Sequence, residues 1–127
     1  NNSSINECLE IMRNYVNPNS IGTYNWFNVF SKSIDTDLGV KIITNGFPRQ
    51  QKNKIKSIIF PKNIFLEEII YAQNTKPKPS KDSFYEIKNW KSLNKSIYIG
   101  DSLIDSNFCN KINVEFYNVN NLKKIYE

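Results

Sequence analysis

Apolar side chains recur at helical spacing in the first third of the chain. The stretch NSSINECLEIMRNYV, residues 2–16, begins with serines that can cap a helix and continues with apolar side chains about one turn apart. After the loop NPNSIG, the stretch NWFNVFSKSI at residues 25–34 repeats this spacing with large aromatic side chains. The pattern predicts two helices, and an aromatic stripe like the second one is typical of a buried core.

Short β-branched runs follow and alternate with polar stretches. The strand-like runs are VKIIT at 40–44, EEIIYAQ at 67–73, SIYIG at 96–100 and VEFYNV at 114–119. Helices are predicted over 50–58, over 80–93 with Ser80 as the cap, over about 102–111, and in a short tail. Strands that alternate with helices indicate an α/β domain with a mainly parallel sheet that is covered on both faces.

Ligands of such sheets bind beyond the carboxyl ends of the strands, and this rule selects a few polar residues. In chain order they are Thr44, Asn45 and Gly46, then Lys76 and Lys78, then Asp101 and Asp105. Each alone has an ordinary structural explanation, such as a capped turn, a solvated lysine or an acid in the first turn of a helix. Their convergence on one edge of the sheet is what indicates a site.

Composition excludes several kinds of chemistry. The chain has 127 residues, a formal net charge of +5, two cysteines and no histidine, so histidine-ligated zinc and histidine-based catalysis are excluded. The lysines are spread along the chain without interleaved aromatics, so no nucleic-acid partner is expected. Cys8 and Cys109 fit reduced thiols in a cytoplasmic protein, and no apolar run is long enough to suggest a membrane partner.

The side chains at the predicted edge have the chemistry of a phosphate and metal site. Asp101 and Asp105 repel each other unless a cation offsets their charges, and Mg²⁺ takes one or two carboxylates together with water and phosphate. Thr44 and the amides of the Asn45–Gly46 turn can bond phosphoryl oxygens. A lysine stabilises the same oxygens as a point charge. The predicted cofactor is therefore Mg²⁺, and the predicted ligand carries a phosphoryl group.

The order of these motifs resembles the haloacid dehalogenase (HAD) superfamily, most of all its phosphatase-type branch. IITNG, KPKPSKDSF and IYIGDSLID are similar to the family's Thr or Ser after the second conserved strand, its Lys-Pro after the third, and its Gly-Asp-x-x-x-Asp after the fourth. The similarity covers roughly residues 36–119. It implies a HAD-like, Rossmannoid three-layer fold with a mainly parallel sheet.

The resemblance also implies roles for the basic and hydroxyl side chains. Thr44 would hold the transferring phosphoryl group, and Lys78 would pair with that group and with the nucleophile. Lys78 is preferred to Lys76 because the family tends to place an aromatic residue, here Phe84, about six positions after its lysine. The choice between the two lysines stays open at this point.

The same resemblance assigns the acidic and small residues. Asp101 would bind Mg²⁺ directly, and Asp105 would support the metal site through water. Asn45 and Gly46 would contact the substrate. Alternatively, Asn45 would orient the loop in which it lies. Gly100 would let the backbone turn sharply beside the metal.

The resemblance fails at the nucleophile. HAD enzymes use an Asp-x-Asp motif after their first strand, which lies at the centre of the sheet. Asp35 and Asp37 have this spacing, but no buried strand precedes them, and the six residues between Asp37 and Thr44 are too few for a crossover helix. The sheet is therefore expected to lack its central first strand, which would leave unpaired backbone groups on either side of a gap.

A longer protein would explain this departure, and the start at Asn1 instead of methionine agrees with it. Residues 1–22 are then expected to be a remnant of a helical cap or a linker, and residues 23–127 the C-terminal part of a HAD-like core. The expected function is a Mg²⁺-dependent phosphohydrolase that acts on a small phosphorylated metabolite through an aspartyl-phosphate intermediate. Its nucleophile would lie outside the given chain.

Two other functions compete with this expectation. The first is a catalytically inactive HAD-like module that binds a phosphorylated ligand or a protein partner, and an upstream Asp-x-Asp motif would argue against it. The second is a basic nucleic-acid-binding domain, which would show strongly salt-dependent binding to oligonucleotides.

Overall fold

The computed structural model describes residues 4–6, 21–34, 36–93 and 95–127. The strands in these ranges are β1 (Ser4–Asn6), β2 (Ile21–Gly22), β3 (Leu38–Thr44), β4 (Ile58–Ile59), β5 (Ile64–Tyr71), β6 (Ile97–Gly100) and β7 (Glu115–Asn118). The α-helices are α1 (Asn25–Lys32), α2 (Pro48–Lys56), α3 (Leu103–Ile112) and α4 (Val119–Tyr126). Short 3₁₀ helices span Ala72–Asn74, Lys81–Glu86 and Trp90–Ser92.

A parallel sheet forms the framework of the fold. Its five strands follow the order β5-β3-β1-β6-β7, and every neighbouring pair runs parallel. The strands β2 and β4 form a separate two-stranded parallel sheet. Because parallel strands end at the same edge, the residues that follow β3 and β6 lie on one side of the molecule. We call this side the carboxyl edge.

Successive side chains of a strand point to opposite faces of the sheet, and in the large sheet both faces carry apolar side chains. Val40 and Ile42 of β3 pack into one apolar layer with α1, α2 and α4, whereas Ile43 packs into the other layer with α3 and the 3₁₀ helices. In β6, Ile99 belongs to the first layer and Tyr98 to the second. A fully buried side chain of this size contributes about 1.5–3 kcal/mol. Burial on both faces explains why β3 is apolar at nearly every position.

The α/β class and the mainly parallel sheet predicted from the sequence are confirmed. The four apolar runs correspond to β3, β5, β6 and β7, and the helices predicted over 25–34, 50–58 and about 102–111 correspond to α1, α2 and α3. The predicted tail helix is α4. The bounds differ by a few residues at most element ends.

The centre of the sheet differs from the sequence prediction. Instead of a gap, β1 lies between β3 and β6 and pairs with both, with Ile5 opposite Val40 on one side and Ile97 on the other. The prediction of a missing central strand is therefore wrong, and so is the predicted helix where it covers Ser4–Asn6. The backbone groups of β3 and β6 require partners. The spacing of apolar residues does not show which segment supplies them. Residues 7–16 of the predicted helix lie outside the described residues.

The segment predicted as a helix over residues 80–93 is not an α-helix. It forms two 3₁₀ helices, which are separated by the extended Ile87 and by Asn89 in the left-handed region at φ 59°. Asparagine tolerates this conformation, and one such residue interrupts a helical hydrogen-bond ladder. Ser80 does act as a cap, because its hydroxyl accepts a bond from the Asp82 amide at 3.3 Å. The apolar spacing of this segment reflects burial in the second layer.

The described helices are short. The longest of them, α3, has 10 residues. Within the described ranges, no helix has the length and apolar character needed to cross a bilayer.

Candidate functional site

The carboxyl edge brings together loops that are far apart in sequence. The strand β3 ends at Thr44 and β6 ends at Gly100, with β1 between them. Two strand spacings separate β3 from β6, which is roughly 10 Å. The Lys78 ammonium joins the two sides, because it bonds to the end of β3 and to side chains of β6 and α3 that extend toward it.

Lys78 is a buried cation at the carboxyl edge. Its ammonium donates to the carbonyl oxygen of Ile43 at 2.9 Å, to the hydroxyl of Tyr98 at 2.6 Å and to Oδ1 of Asp105 at 2.9 Å. Its side chain is 1% exposed. An ammonium has three N–H donors, so it can bond to acceptors on several elements at once. The lysine therefore connects the end of β3 to β6 and α3.

Asp105 is the counter-charge of this cation, and its side chain is 2% exposed. Besides the bond from Lys78, Oδ1 accepts a bond from the Tyr98 hydroxyl at 2.8 Å, and Oδ2 accepts one from the Ser102 hydroxyl at 2.9 Å. Ser102 also caps α3, because its oxygen accepts a bond from the Asp105 amide at 3.2 Å. Both carboxylate oxygens are thus bonded within the protein, as a buried charge requires.

The backbone of Lys78 is held by Asn45. The Asn45 amide group donates to the Lys78 carbonyl at 3.0 Å, and its Oδ1 accepts a bond from the Lys78 amide at 2.7 Å. This reciprocal pair joins the loop after β3 to the loop after β5. Asn45 therefore orients the lysine loop, a role that apolar spacing does not reveal.

The turn after β3 has little room for larger side chains. The Gly46 amide donates to Oγ1 of Thr44 at 3.2 Å, and the Thr44 side chain is buried. A Cβ on Gly46 would lie 2.3 Å from Nε2 of Gln51, which is itself buried. The Thr44 hydroxyl oxygen accepts this hydrogen bond, so its O–H group can still donate to another acceptor.

Gly100 sits against the buried ion pair. A Cβ at this position would lie 2.7 Å from Oδ2 of Asp105, a carboxylate that its hydrogen bonds hold in place. The absence of a side chain thus lets the end of β6 approach Asp105 closely.

Asp101 differs from Asp105 in its surroundings. It follows Gly100 directly and is exposed, and no hydrogen bond or ion pair of its side chain occurs among the described residues. The two carboxylates that have metal-site spacing in the sequence therefore have different environments. One faces solvent at the carboxyl edge, and the other neutralises Lys78.

Asp101 is the residue at this edge that could hold a metal ion directly. Within the described ranges, no cluster of three or more carboxylate or cysteine side chains has the arrangement of a metal site. Mg²⁺ needs only one or two carboxylates when phosphate and water supply its other ligands. Asp101 fits that requirement as a direct ligand, whereas both oxygens of Asp105 are already bonded to protein groups.

The remaining sequence candidates lie apart from this cluster. Lys76 is exposed, so the lysine that joins the cluster is Lys78. Asp37 is exposed in the connection between α1 and β3, and Asp35 lies outside the described residues.

Sequence reasoning missed Tyr98 and Ser102. A tyrosine in the middle of a buried strand needs a partner for its hydroxyl, which was a usable signal for Tyr98. Ser102 lies three residues before Asp105, which is the spacing of a capping motif. Both features can be read from neighbouring residues in the sequence. Neither of them identifies Lys78 as the partner of Tyr98 and Asp105.

Two further tyrosines of the large sheet have a raised pKa. Burial raises the pKa of Tyr71, which lies opposite Thr44 in the pairing of β3 with β5. A hydrogen bond with Glu115 raises the pKa of Tyr117, and burial adds to the shift. Both phenols therefore stay protonated at neutral pH and add no negative charge.

Comparisons with known proteins identify no relative. The sequence matches no protein-family model and no curated protein, and no solved structure matches the chain. The interpretation of the carboxyl edge therefore depends on its own geometry and chemistry.

Proposed function

We propose that this protein is a HAD-type, Mg²⁺-dependent phosphohydrolase that acts on a small phosphorylated metabolite through an aspartyl-phosphate intermediate. One observation carries the proposal: the Lys78 ammonium donates both to the carbonyl of Ile43, next to Thr44, and to Asp105, one helical turn after Asp101. The motifs that suggest phosphoryl and metal chemistry in the sequence are thus joined at one edge of a parallel sheet.

Three groups at this edge would bind the phosphoryl group. The Thr44 hydroxyl and the backbone amides of its turn would donate to phosphoryl oxygens. The ammonium of Lys78 would stabilise their charge from within the protein, where an interaction between charges is stronger than in water. In this proposal Asn45 and Gly46 shape the turn and Asn45 also aligns the lysine loop.

Asp101 would hold Mg²⁺, and Asp105 would contribute through its ion pair with Lys78 and not, as the sequence suggested, through water, because both of its oxygens are bonded to protein groups. When bound, the metal would neutralise charge on the phosphoryl oxygens. The exposed position of Asp101 supports this assignment, because a bridging metal must meet both the protein and the substrate. The aspartate nucleophile would lie outside the given chain.

The first test is the intact mass of the protein from its natural source, with N-terminal sequencing. A mass well above 14.9 kDa, with Asp-x-Asp in the additional segment, is the expected result. A screen of phosphate esters with and without Mg²⁺ follows, and hydrolysis that depends on Mg²⁺ supports the proposal.

The Asp101→Asn variant tests the site itself. It is expected to lower kcat/KM on the order of a hundredfold or more and to weaken the dependence on Mg²⁺, because a direct charge contact is lost. Asp37→Asn is the matched control, since Asp37 is an exposed aspartate between α1 and β3. Small, equal effects of the two substitutions would contradict the assignment.

A specific observation favours a second candidate function, an inactive module that binds a phosphorylated ligand or a protein partner. The central strand β1 is Ser-Ile-Asn, so its described residues contain no carboxylate where HAD enzymes have their nucleophile strand. An intact mass equal to that of the 127 residues, with binding of inorganic phosphate and no hydrolysis, would support the inactive module instead.

A further inference from the structure

We propose that Tyr98 is a positioning residue: its hydroxyl orients the Lys78 ammonium toward the phosphoryl group at the carboxyl edge. The inference deepens the proposed function and rests on it. Tyr98 was predicted only as an apolar strand position, yet its hydroxyl is part of the buried ion-pair network.

The hydroxyl of Tyr98 stands between the two charges. It accepts a hydrogen bond from Lys78 at 2.6 Å and donates one to Asp105 Oδ1 at 2.8 Å, while Lys78 donates directly to the same oxygen at 2.9 Å. The tyrosine side chain is fully buried in β6. The three groups therefore form a closed triangle of buried hydrogen bonds.

The triangle fixes the rotation of the ammonium as well as its position. A lone carboxylate would leave an ammonium free to turn about its own axis, whereas acceptors on β3, β6 and α3 constrain this rotation. The ring of Tyr98 adds a further constraint, since Nζ of Lys78 lies 5.4 Å from its centroid.

The experiment compares Tyr98→Phe with the full-length wild-type protein, using p-nitrophenyl phosphate and Mg²⁺. The substitution removes one oxygen and keeps the ring. We expect kcat to fall on the order of tenfold or more, because small misplacements of a catalytic group have effects of that size. We expect KM to stay within about twofold, because ground-state contacts remain. Tyr85→Phe is the control, since Tyr85 is 42% exposed.

A second readout reports on Lys78 without requiring activity. In the wild-type protein, the ¹⁵Nζ signal of Lys78 is expected to persist because its protons exchange slowly with water. Tyr98→Phe is expected to broaden or shift this signal, and Tyr85→Phe to leave it unchanged. Absence of a protected signal in the wild type overturns the proposal even if the variant does not fold.

The two readouts distinguish a failure of the role proposed for Tyr98 from a failure of the proposed function. A fall in kcat together with a changed Lys78 signal supports the proposal, and either change alone overturns it. If the wild type hydrolyses no phosphate ester, its affinity for inorganic phosphate replaces kcat in the same comparison. A wild type that neither hydrolyses esters nor binds phosphate refutes the proposed function itself, whereas a functional wild type with an unaltered variant refutes only the role of Tyr98.

Discussion

At the scale of single residues, Lys78 and Asp105 are charges held almost entirely out of water, with side chains 1% and 2% exposed. Desolvation of each ion is unfavourable by several kcal/mol, and mutual attraction offsets it only when the remaining donors and acceptors are bonded. Here the Ile43 carbonyl and the hydroxyls of Tyr98 and Ser102 supply those bonds. The pair therefore behaves as one unit, in which neither charge is tolerated alone.

Asp105→Asn should lower the free energy of unfolding by about 3–5 kcal/mol, because it leaves the Lys78 ammonium buried without a counter-charge. Urea unfolding measures this loss. The control Asp37→Asn, at an exposed aspartate, should change the free energy by less than about 0.5 kcal/mol.

The double variant Lys78→Met/Asp105→Leu completes a thermodynamic cycle. Its loss of stability should be well below the sum of the losses of the two single variants, because neither charge then remains unpaired. Losses that simply add would contradict a coupled pair.

At the scale of elements, α3 links stability to the site. The helix begins after Ser102, whose hydroxyl both accepts from the Asp105 amide and donates to the Asp105 carboxylate. The first turn of α3 therefore holds the acid that pairs with Lys78. Fraying of this turn would disturb the ion pair as well as the helix.

Ser102→Ala should lower the free energy of unfolding by about 1–3 kcal/mol, because it removes the N-cap of α3 together with a hydrogen bond to the buried Asp105 carboxylate. Ser106→Ala on the same helix is the matched control and should be neutral or slightly stabilising, since alanine favours helix interiors. Thermal and urea unfolding of both variants give the comparison. An equal loss for both serines would mean that Ser102 has no capping role.

At the scale of the whole molecule, the sheet depends on a short central strand. The strand β1 has 3 residues, yet it joins β3 on one side to β6 on the other. These flanking strands carry the two halves of the candidate site, Thr44 and the Gly100–Asp101 turn. Their separation is therefore set by β1.

Ile5→Pro should destabilise the fold strongly, because proline removes a backbone N–H from a strand with neighbours on both sides. Ile5→Val keeps the N–H and the β-branched side chain and should have a small effect. Urea unfolding compares the two variants, and hydrogen exchange of the Ile5 and Asn6 amides provides a second measure. Equal stability of both variants, with rapid exchange, would place another segment at the centre of the sheet.

Part of the candidate site was accessible from the sequence and part was not. Thr44, Asn45, Lys78 and Asp101 were identified because parallel strands end at a common edge, which needs only the order of the elements. The burial of Asp105 against Lys78 could not be predicted from that order. It depends on which side chain fills the space behind the edge, and Tyr98 of β6 shares that space.

The sequence alone determined the α/β class, the approximate positions of β3, β5, β6 and β7 and the set of polar residues at the carboxyl edge, because these follow from periodicity and chain order. Tertiary structure decided which strand lies at the centre, how Lys78 and Asp105 pair, and that residues 80–93 fold as 3₁₀ helices instead of one α-helix. Each of these depends on contacts between residues distant in sequence. Backbone partners and buried counter-charges are long-range requirements, and a local pattern of apolar and polar residues does not encode them.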